Sequence, residues 1–216
     1  MARLVIVGGF ITGRHSIEKV AKASEAYFED PVPYTLSDYV NNPDEVQKAI
    51  RGADVLLHSA GALAIDDPHT RPKYAYMFNP PLPRSIGGLV VRAGVKTARM
   101  FTPGLGIHRP SDVGSVIGFS AGSIAEAAAH PIANFKMLRR ISEFDAVSSA
   151  VVTRQNGIDV GIIWTDNDAF YKPSVDDIAS ANASRIPQLM LEGEHDELLI
   201  RPDAILRSVF GTESSI

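Results

Sequence analysis

Ala53-Asp54-Val55-Leu56-Leu57-His58-Ser59-Ala60-Gly61 decides how this chain is read. Its first part is a short apolar run, the pattern of a buried strand. Its second part sets a serine at the mouth of that strand with small residues behind it. A serine hydroxyl is a weak nucleophile until a base and a third group activate it. It must also be exposed, and a sharp strand-to-helix turn with small neighbours does that. The common form of this turn is G-x-S-x-G, and here Leu57 stands where the first glycine would be. Taken alone, Ser59 equally suits an ordinary helix N-cap. An acid and a histidine at matching positions would separate the two readings.

Upstream, Arg3–Gly8 (RLVIVG) is a short β-branched run closed by Gly8-Gly9, which predicts a buried strand. The spacing of Ile17, Val20, Ala21, Tyr27 and Phe28 predicts a helix over residues 14–28 with one buried face. Val32–Leu36 reads as a second strand. Asn42-Pro43-Asp44-Glu45 starts a helix that Gly52 ends, with Pro43 at the first helical position and acids complementing the helix dipole. Ala53–Leu57 is the third strand. Tyr74–Phe78 is the fourth, stopped by Asn79-Pro80-Pro81-Leu82-Pro83. Asp159–Trp164 is the fifth, running into Thr165-Asp166-Asn167-Asp168. A helix around residues 174–184 leads to the last strand, Gln188–Leu191, then Gly193-Glu194-His195-Asp196, then a closing helix over residues 202–210.

Strands alternating with helices predict the α/β class: a three-layer arrangement, a mostly parallel sheet of about six strands with helices on both faces. Ligands of such sheets sit at the carboxyl ends of the strands, where Gly8-Gly9-Phe10 and Ser59 both fall. The stretch from residue 84 to 149 breaks the alternation. It carries Gly87-Gly88, Pro103-Gly104 and the alanine-rich Ile124–Ala129, and reads as helices and loops. Residues 1–83 and 150–216 are therefore expected to form the core. Residues 84–149 are expected to be a helical cap inserted over the carboxyl edge, the alternative being further core helices. The whole is expected to be one domain.

A chain of 216 residues, 45% hydrophobic and 21% charged, suits one sizeable core. A net charge of −4 without a dense Lys/Arg cluster disfavours nucleic acid as a partner. No segment approaches the ~18–20 apolar residues of a membrane span. The apolar run at the N-terminus is too short for a signal-peptide core. With no cysteine there is neither a disulfide nor a thiolate metal site, so a cytoplasmic protein is expected. A monomer or homodimer is expected, acting on a small molecule without metal or organic cofactor.

Serine, acid and histidine now follow one another in chain order, each just past a strand: Ser59, Asp168 and His195. One helix and one strand separate the last two, as one αβ unit requires. Gly118-Phe119-Ser120-Ala121-Gly122 is a complete G-x-S-x-G, yet Gly114 and Ser115 interrupt the segment before it. Ser120 is expected in a loop or helix start of the insertion. Asp166 competes with Asp168 as the acid. Asp196 would need a histidine beyond it, and none of the six histidines lies there. His58 reads as a packed neighbour of the serine, and Glu194, His195 and Asp196 lack metal-ligand spacing on one face.

The order Ser, Asp, His resembles the α/β-hydrolase superfamily over nearly the whole chain. Val5-Ile6-Val7-Gly8-Gly9-Phe10 resembles its oxyanion strand and loop, with Gly8-Gly9 where His-Gly is frequent. Leu57-His58-Ser59-Ala60-Gly61 resembles its nucleophile elbow. The stretch from Asp159 to Phe170 resembles the strand and turn that present the acid, and Pro187 to His195 the last strand and histidine loop. Arg201-Pro202-Asp203 resembles the start of the closing helix. The resemblance implies a serine hydrolase cleaving a small ester or related acyl substrate through an acyl-enzyme on Ser59. It implies His195 as general base, Asp168 as its orienting acid, and the amides of Phe10 and Ala60 as oxyanion hole. The same fold also carries lyase and perhydrolase chemistry and non-catalytic ligand-binding proteins, because fold does not fix function. Tyr74, Tyr76, Phe78, Phe101, Trp164 and Phe170 are candidate pocket residues, core packing being the default for most.

Overall fold

Six short segments become six parallel strands: β1 (Arg3–Val7), β2 (Glu29–Tyr34), β3 (Val55–His58), β4 (Tyr74–Phe78), β5 (Asp159–Thr165) and β6 (Gln188–Leu191). The computed structural model describes residues 1–9, 12–58, 72–82, 88, 113–168 and 170–211. The strands form one sheet in the order β2-β1-β3-β4-β5-β6, every neighbouring pair parallel. The chain leaves β1 for β2 on one side and then crosses back to β3 on the other. That reversal opens a crevice at the carboxyl ends of β1 and β3, the usual ligand position in such sheets.

Alternate residues of each strand face opposite ways; in β1, β3 and β5 both faces are buried, whereas the edge strands β2 and β6 keep exposed residues. Leu4, Ile6, Val55, Leu57 and Ile163 pack against Ile17, Val20, Leu198, Ile205 and Leu206. These come from α1 (Arg14–Ser24), α8 (Glu197–Ile200) and α9 (Pro202–Phe210). On the other face Val5, Val7, Leu56, Met77, Ile162 and Trp164 pack against Leu36, Val46, Ile50, Ile141, Val147 and Ala181. Those belong to α2 (Leu36–Asn41), α3 (Pro43–Arg51), α5 (Pro131–Glu143), α6 (Ala146–Gln155) and α7 (Val175–Ala183). The result is the expected three-layer α/β arrangement.

Between β4 and β5, α4 (Val113–Ala129) packs on α1 and α8 of one layer. Its successor α5 packs on α4 and on α2 of the opposite layer, and α6 lies along β5. Ile141 of α5, Phe144, and Ala146, Val147 and Ala150 of α6 are core residues, so the helix wall of the core takes in the end of α5 as well as α6. Among the described residues no helix is long and apolar enough to cross a membrane.

Three local expectations change. β2 starts at Glu29 and ends at Tyr34, and Leu36 opens α2 instead of closing a strand. The cause is a reciprocal cap. Thr35 Oγ1 accepts from Asp38 N at 3.1 Å while Asp38 Oδ2 accepts from Thr35 N at 2.6 Å. Helix α1 stops at Ser24, and Phe28 reaches the same core from the turn beyond, edge-on to Phe210 at 4.9 Å. Ser120 lies inside α4, not in a loop or at a helix start, and its hydroxyl donates to Val116 O at 2.8 Å. Gly122, one turn apart from Gly118, lies against Gly13 at the entrance of α1.

Candidate active site

Parallel pairing brings the carboxyl ends of all six strands to one edge. His58 is in register with Val7 of β1 and Met77 of β4. Phe78 pairs with Ile163 and Thr165 with Leu191. The strands β1, β3, β5 and β6 therefore all end at this edge, with β4 between β3 and β5. β3 ends at His58, directly before Ser59. Ser59, Ala60 and Phe10 lie outside the described residues, as does most of residues 84–112.

Asp168 and His195, far apart in the chain, meet at this edge. His195 Nδ1 is 2.7 Å from Asp168 Oδ2. An ionised carboxylate only accepts, so the imidazole carries its proton on Nδ1, which leaves the Nε2 lone pair free in the neutral ring. Asp168 Oδ1 accepts from Phe170 N at 2.6 Å and Tyr171 N at 2.9 Å. Burial alone would raise the Asp168 carboxyl. The His195 charge, its hydrogen bond and the two amides outweigh that and hold the carboxyl below its ordinary range. The rings of Phe170 and Tyr171 flank the imidazole at 5.1 and 5.4 Å between centroids.

The competing acid does something else. Asp166 Oδ1 accepts from Gly193 N at 3.0 Å, and Asn167 N donates to Gly193 O at 3.0 Å. This brace joins the turn after β5 to the loop that carries His195. Asp196 is buried at the N-terminal boundary of α8. Gly193 sits at φ +144°, and a Cβ there would lie 2.3 Å from Glu197 Cγ. Glu197 occupies that space, accepting from Glu194 N at 3.3 Å and pairing with Arg201 at 2.5 Å. The histidine loop thus rests on the buried Glu197, whose partner Arg201 is partly exposed.

Asn79 is the site residue that sequence reasoning missed. It follows β4 and is fully buried. Its Nδ2 donates to Thr165 Oγ1 at 2.8 Å and to the His195 carbonyl at 3.0 Å. Nothing in Asn79-Pro80-Pro81 beyond a strand stop announces this.

Of the candidate pocket residues, Phe78 and Trp164 are buried core. Tyr76 stacks edge-on against Phe210 at 5.4 Å, and Tyr74 opens β4 at the opposite edge. Phe170 borders His195, and Phe101 lies outside the described residues. The side chain of His58 also lies outside them. Among the described residues no group of three His, Asp or Glu side chains is arranged to hold a metal ion.

No protein-family model matches the chain, and no curated protein matches it in sequence. Solved structures match it in shape. A carboxylesterase of the thaumarchaeon Nitrososphaera gargenis superposes with a TM-score of 0.66 at 12% identity, over 97% of this chain and 89% of that one. A hydrolase from Pseudomonas aeruginosa gives 0.64 at 14% identity, over 99% and 90%. An alpha/beta hydrolase enzyme from a deep-sea metagenome library of the Medee basin gives 0.56 at 12% identity, over 100% and 91%. With its strand order, its two helical layers and these neighbours along its whole length, the chain has the α/β-hydrolase fold.

Proposed function

We propose that the protein is a serine hydrolase that cleaves a small ester or related acyl substrate through an acyl-enzyme on Ser59. The observation that carries this reading is the 2.7 Å contact of His195 Nδ1 with the buried Asp168 carboxylate, at the edge where β3 ends one residue before Ser59. Asp168 orients the ring and stabilises the imidazolium that forms during attack. His195 Nε2 takes the Ser59 proton as Oγ adds to the acyl carbon. The oxyanion that results is held by the amides of Phe10 and Ala60, each donor of this kind contributing about 10²–10³ in rate. Collapse expels the alcohol, which receives the proton from His195. Water, deprotonated by the same nitrogen, then releases the acid and restores Ser59. The part of residues 84–149 that precedes α5 serves as the cap that shapes the acyl pocket, while the end of the stretch, from Ile141 on, belongs to the core, and no metal or organic cofactor is needed for any step.

A fluorophosphonate probe tests the assignment. Labelling is expected at Ser59 and is expected to vanish in Ser59→Ala. Labelling at Ser120 would overturn it. A burst of p-nitrophenol from p-nitrophenyl acetate separates acyl transfer from lyase chemistry, and a chain-length panel of esters then defines the substrate.

A further inference from the structure

We infer that Asn79 is a positioning residue for His195, holding its backbone so that the imidazole meets Asp168 on one side and the serine on the other. This rests on the hydrolase reading above. Asn79 touches no reacting atom, yet its carboxamide is fully used. Nδ2 donates to His195 O at 3.0 Å and to Thr165 Oγ1 at 2.8 Å, and Oδ1 accepts from Thr165 N at 2.8 Å. Its own amide donates to Ile163 O at 2.8 Å. One side chain at the end of β4 thereby ties the end of β5, where the Asp168 turn begins, to the backbone of the residue that Asp168 must meet. The partners lie 86 and 116 residues away in the chain.

The residue type fits the task. Asn79 has φ +42° directly before Pro80, a backbone state that the surrounding bonds must hold. Asparagine tolerates that region better than other side-chain-bearing residues. Aspartate would keep the acceptor toward Thr165 N but lose the donor toward His195 O. The two other restraints on the histidine loop, the Asp166–Gly193 brace and the Glu197–Arg201 support, both act before or after His195. Asp168 holds the imidazole, and Asn79 holds the backbone of His195 itself.

The test compares Asn79→Asp with Thr165→Val in the full chain. The valine variant removes one hydrogen bond of the β4–β5 seam and leaves the bond to His195. It is expected to lower the urea midpoint with kcat on p-nitrophenyl acetate unchanged. Asn79→Asp is expected to lower kcat by about 10–100-fold with little change in KM, because small misplacements of a catalytic group cost that much. It is also expected to broaden or shift the low-field proton resonance of His195 Nδ1. Part of the lost kcat returns, relative to wild type at the same pH, as acidification protonates the introduced carboxyl and restores a donor. Wild-type kcat and resonance in Asn79→Asp, or an equal loss of kcat in Thr165→Val, would overturn the inference. If Asn79→Asp does not fold, Asp168→Asn decides. The side-chain amide signals of Asn79 are expected to shift in it as the imidazole reorients, and signals that stay still overturn the inference. A wild type without labelling or turnover overturns the hydrolase reading alone, since the resonance and amide readouts need no substrate.

Discussion

Gly13 and Gly122 touch backbone to backbone. A Cβ built on Gly13 would lie 2.8 Å from both the carbonyl carbon and oxygen of Gly122. The relation is one-sided, because a Cβ on Gly122 would sit 3.8 Å from Gly13 Cα, an ordinary contact. Gly13→Ala is therefore expected to cost about 1–3 kcal/mol through overpacking. Gly122→Ala is expected to be neutral or to stabilise by up to about 1 kcal/mol, from helix propensity. Urea midpoints read both. Equal effects would mean that α4 is not seated on the entrance of α1.

Replacing the acid should separate folding from chemistry. The folded-state carboxyl of Asp168 lies below its ordinary value. Its contribution to stability is therefore complete above the unfolded pKa and is lost as pH falls through the folded one. Asp168→Asn is expected to flatten that acid limb of the stability profile. It is also expected to reduce kcat by about 10⁴-fold, because the wrong imidazole tautomer is then favoured. Urea titrations across acid pH and initial rates at neutral pH check the two halves. An unchanged acid limb would show that Asp168 is not held low.

Gly193→Ala combines two penalties at one position, a φ of +144° and a clash with Glu197. A loss of about 1–3 kcal/mol is expected, together with weaker labelling of Ser59 because the histidine loop must shift. Trimming the obstacle in Gly193→Ala/Glu197→Ala removes the clash but leaves the backbone strain and also takes away the Glu197 support of the loop, so only part of the labelling should return. Complete recovery in the double variant would assign the whole effect to packing.

Thr35→Ala is expected to cost about 1 kcal/mol by uncapping α2. Asp38→Ala should cost more, since Asp38 also accepts two bonds from Arg14 at 2.6 and 2.7 Å. Thermal unfolding of the two variants at low and high salt reads the difference. The excess should shrink with salt, because Arg14 is half exposed.

These residues show what a sequence discloses. Runs such as Leu4–Val7 and Ile162–Trp164 are buried on both faces, so apolar continuity alone locates these central strands. The order of strands and helices then brings Asp168 and His195 to one edge. Asp166 and Asp168 could not be told apart because they differ only in how one short turn winds, and the amides of Phe170 and Tyr171 set that winding. Helix α2 escaped notice because Thr35-Leu36 continues an extended run, and the cap is visible only once Asp38 folds back. Gly118-x-Ser120-x-Gly122 misleads because small residues suit a crowded turn and a close helix contact equally well. Asn79 is silent for a different reason. Its partners are distant in the chain, and no local pattern encodes a hydrogen bond to a carbonyl brought there by topology.

The layer that packs Ile17 and Val20 is assembled from segments far apart in sequence, with Leu198, Ile205 and Leu206 supplying its far half. During synthesis, α1 can dock on β1, β2 and β3 as they emerge, but its neighbours in that layer, α8 and α9, come far later. The opposite layer draws on α2, α3, α5, α6 and α7, which all precede β6. A nascent chain stalled before residue 198 should hold a half-closed sheet that binds a hydrophobic dye and falls to protease, and release of the last two helices should shut it in one step.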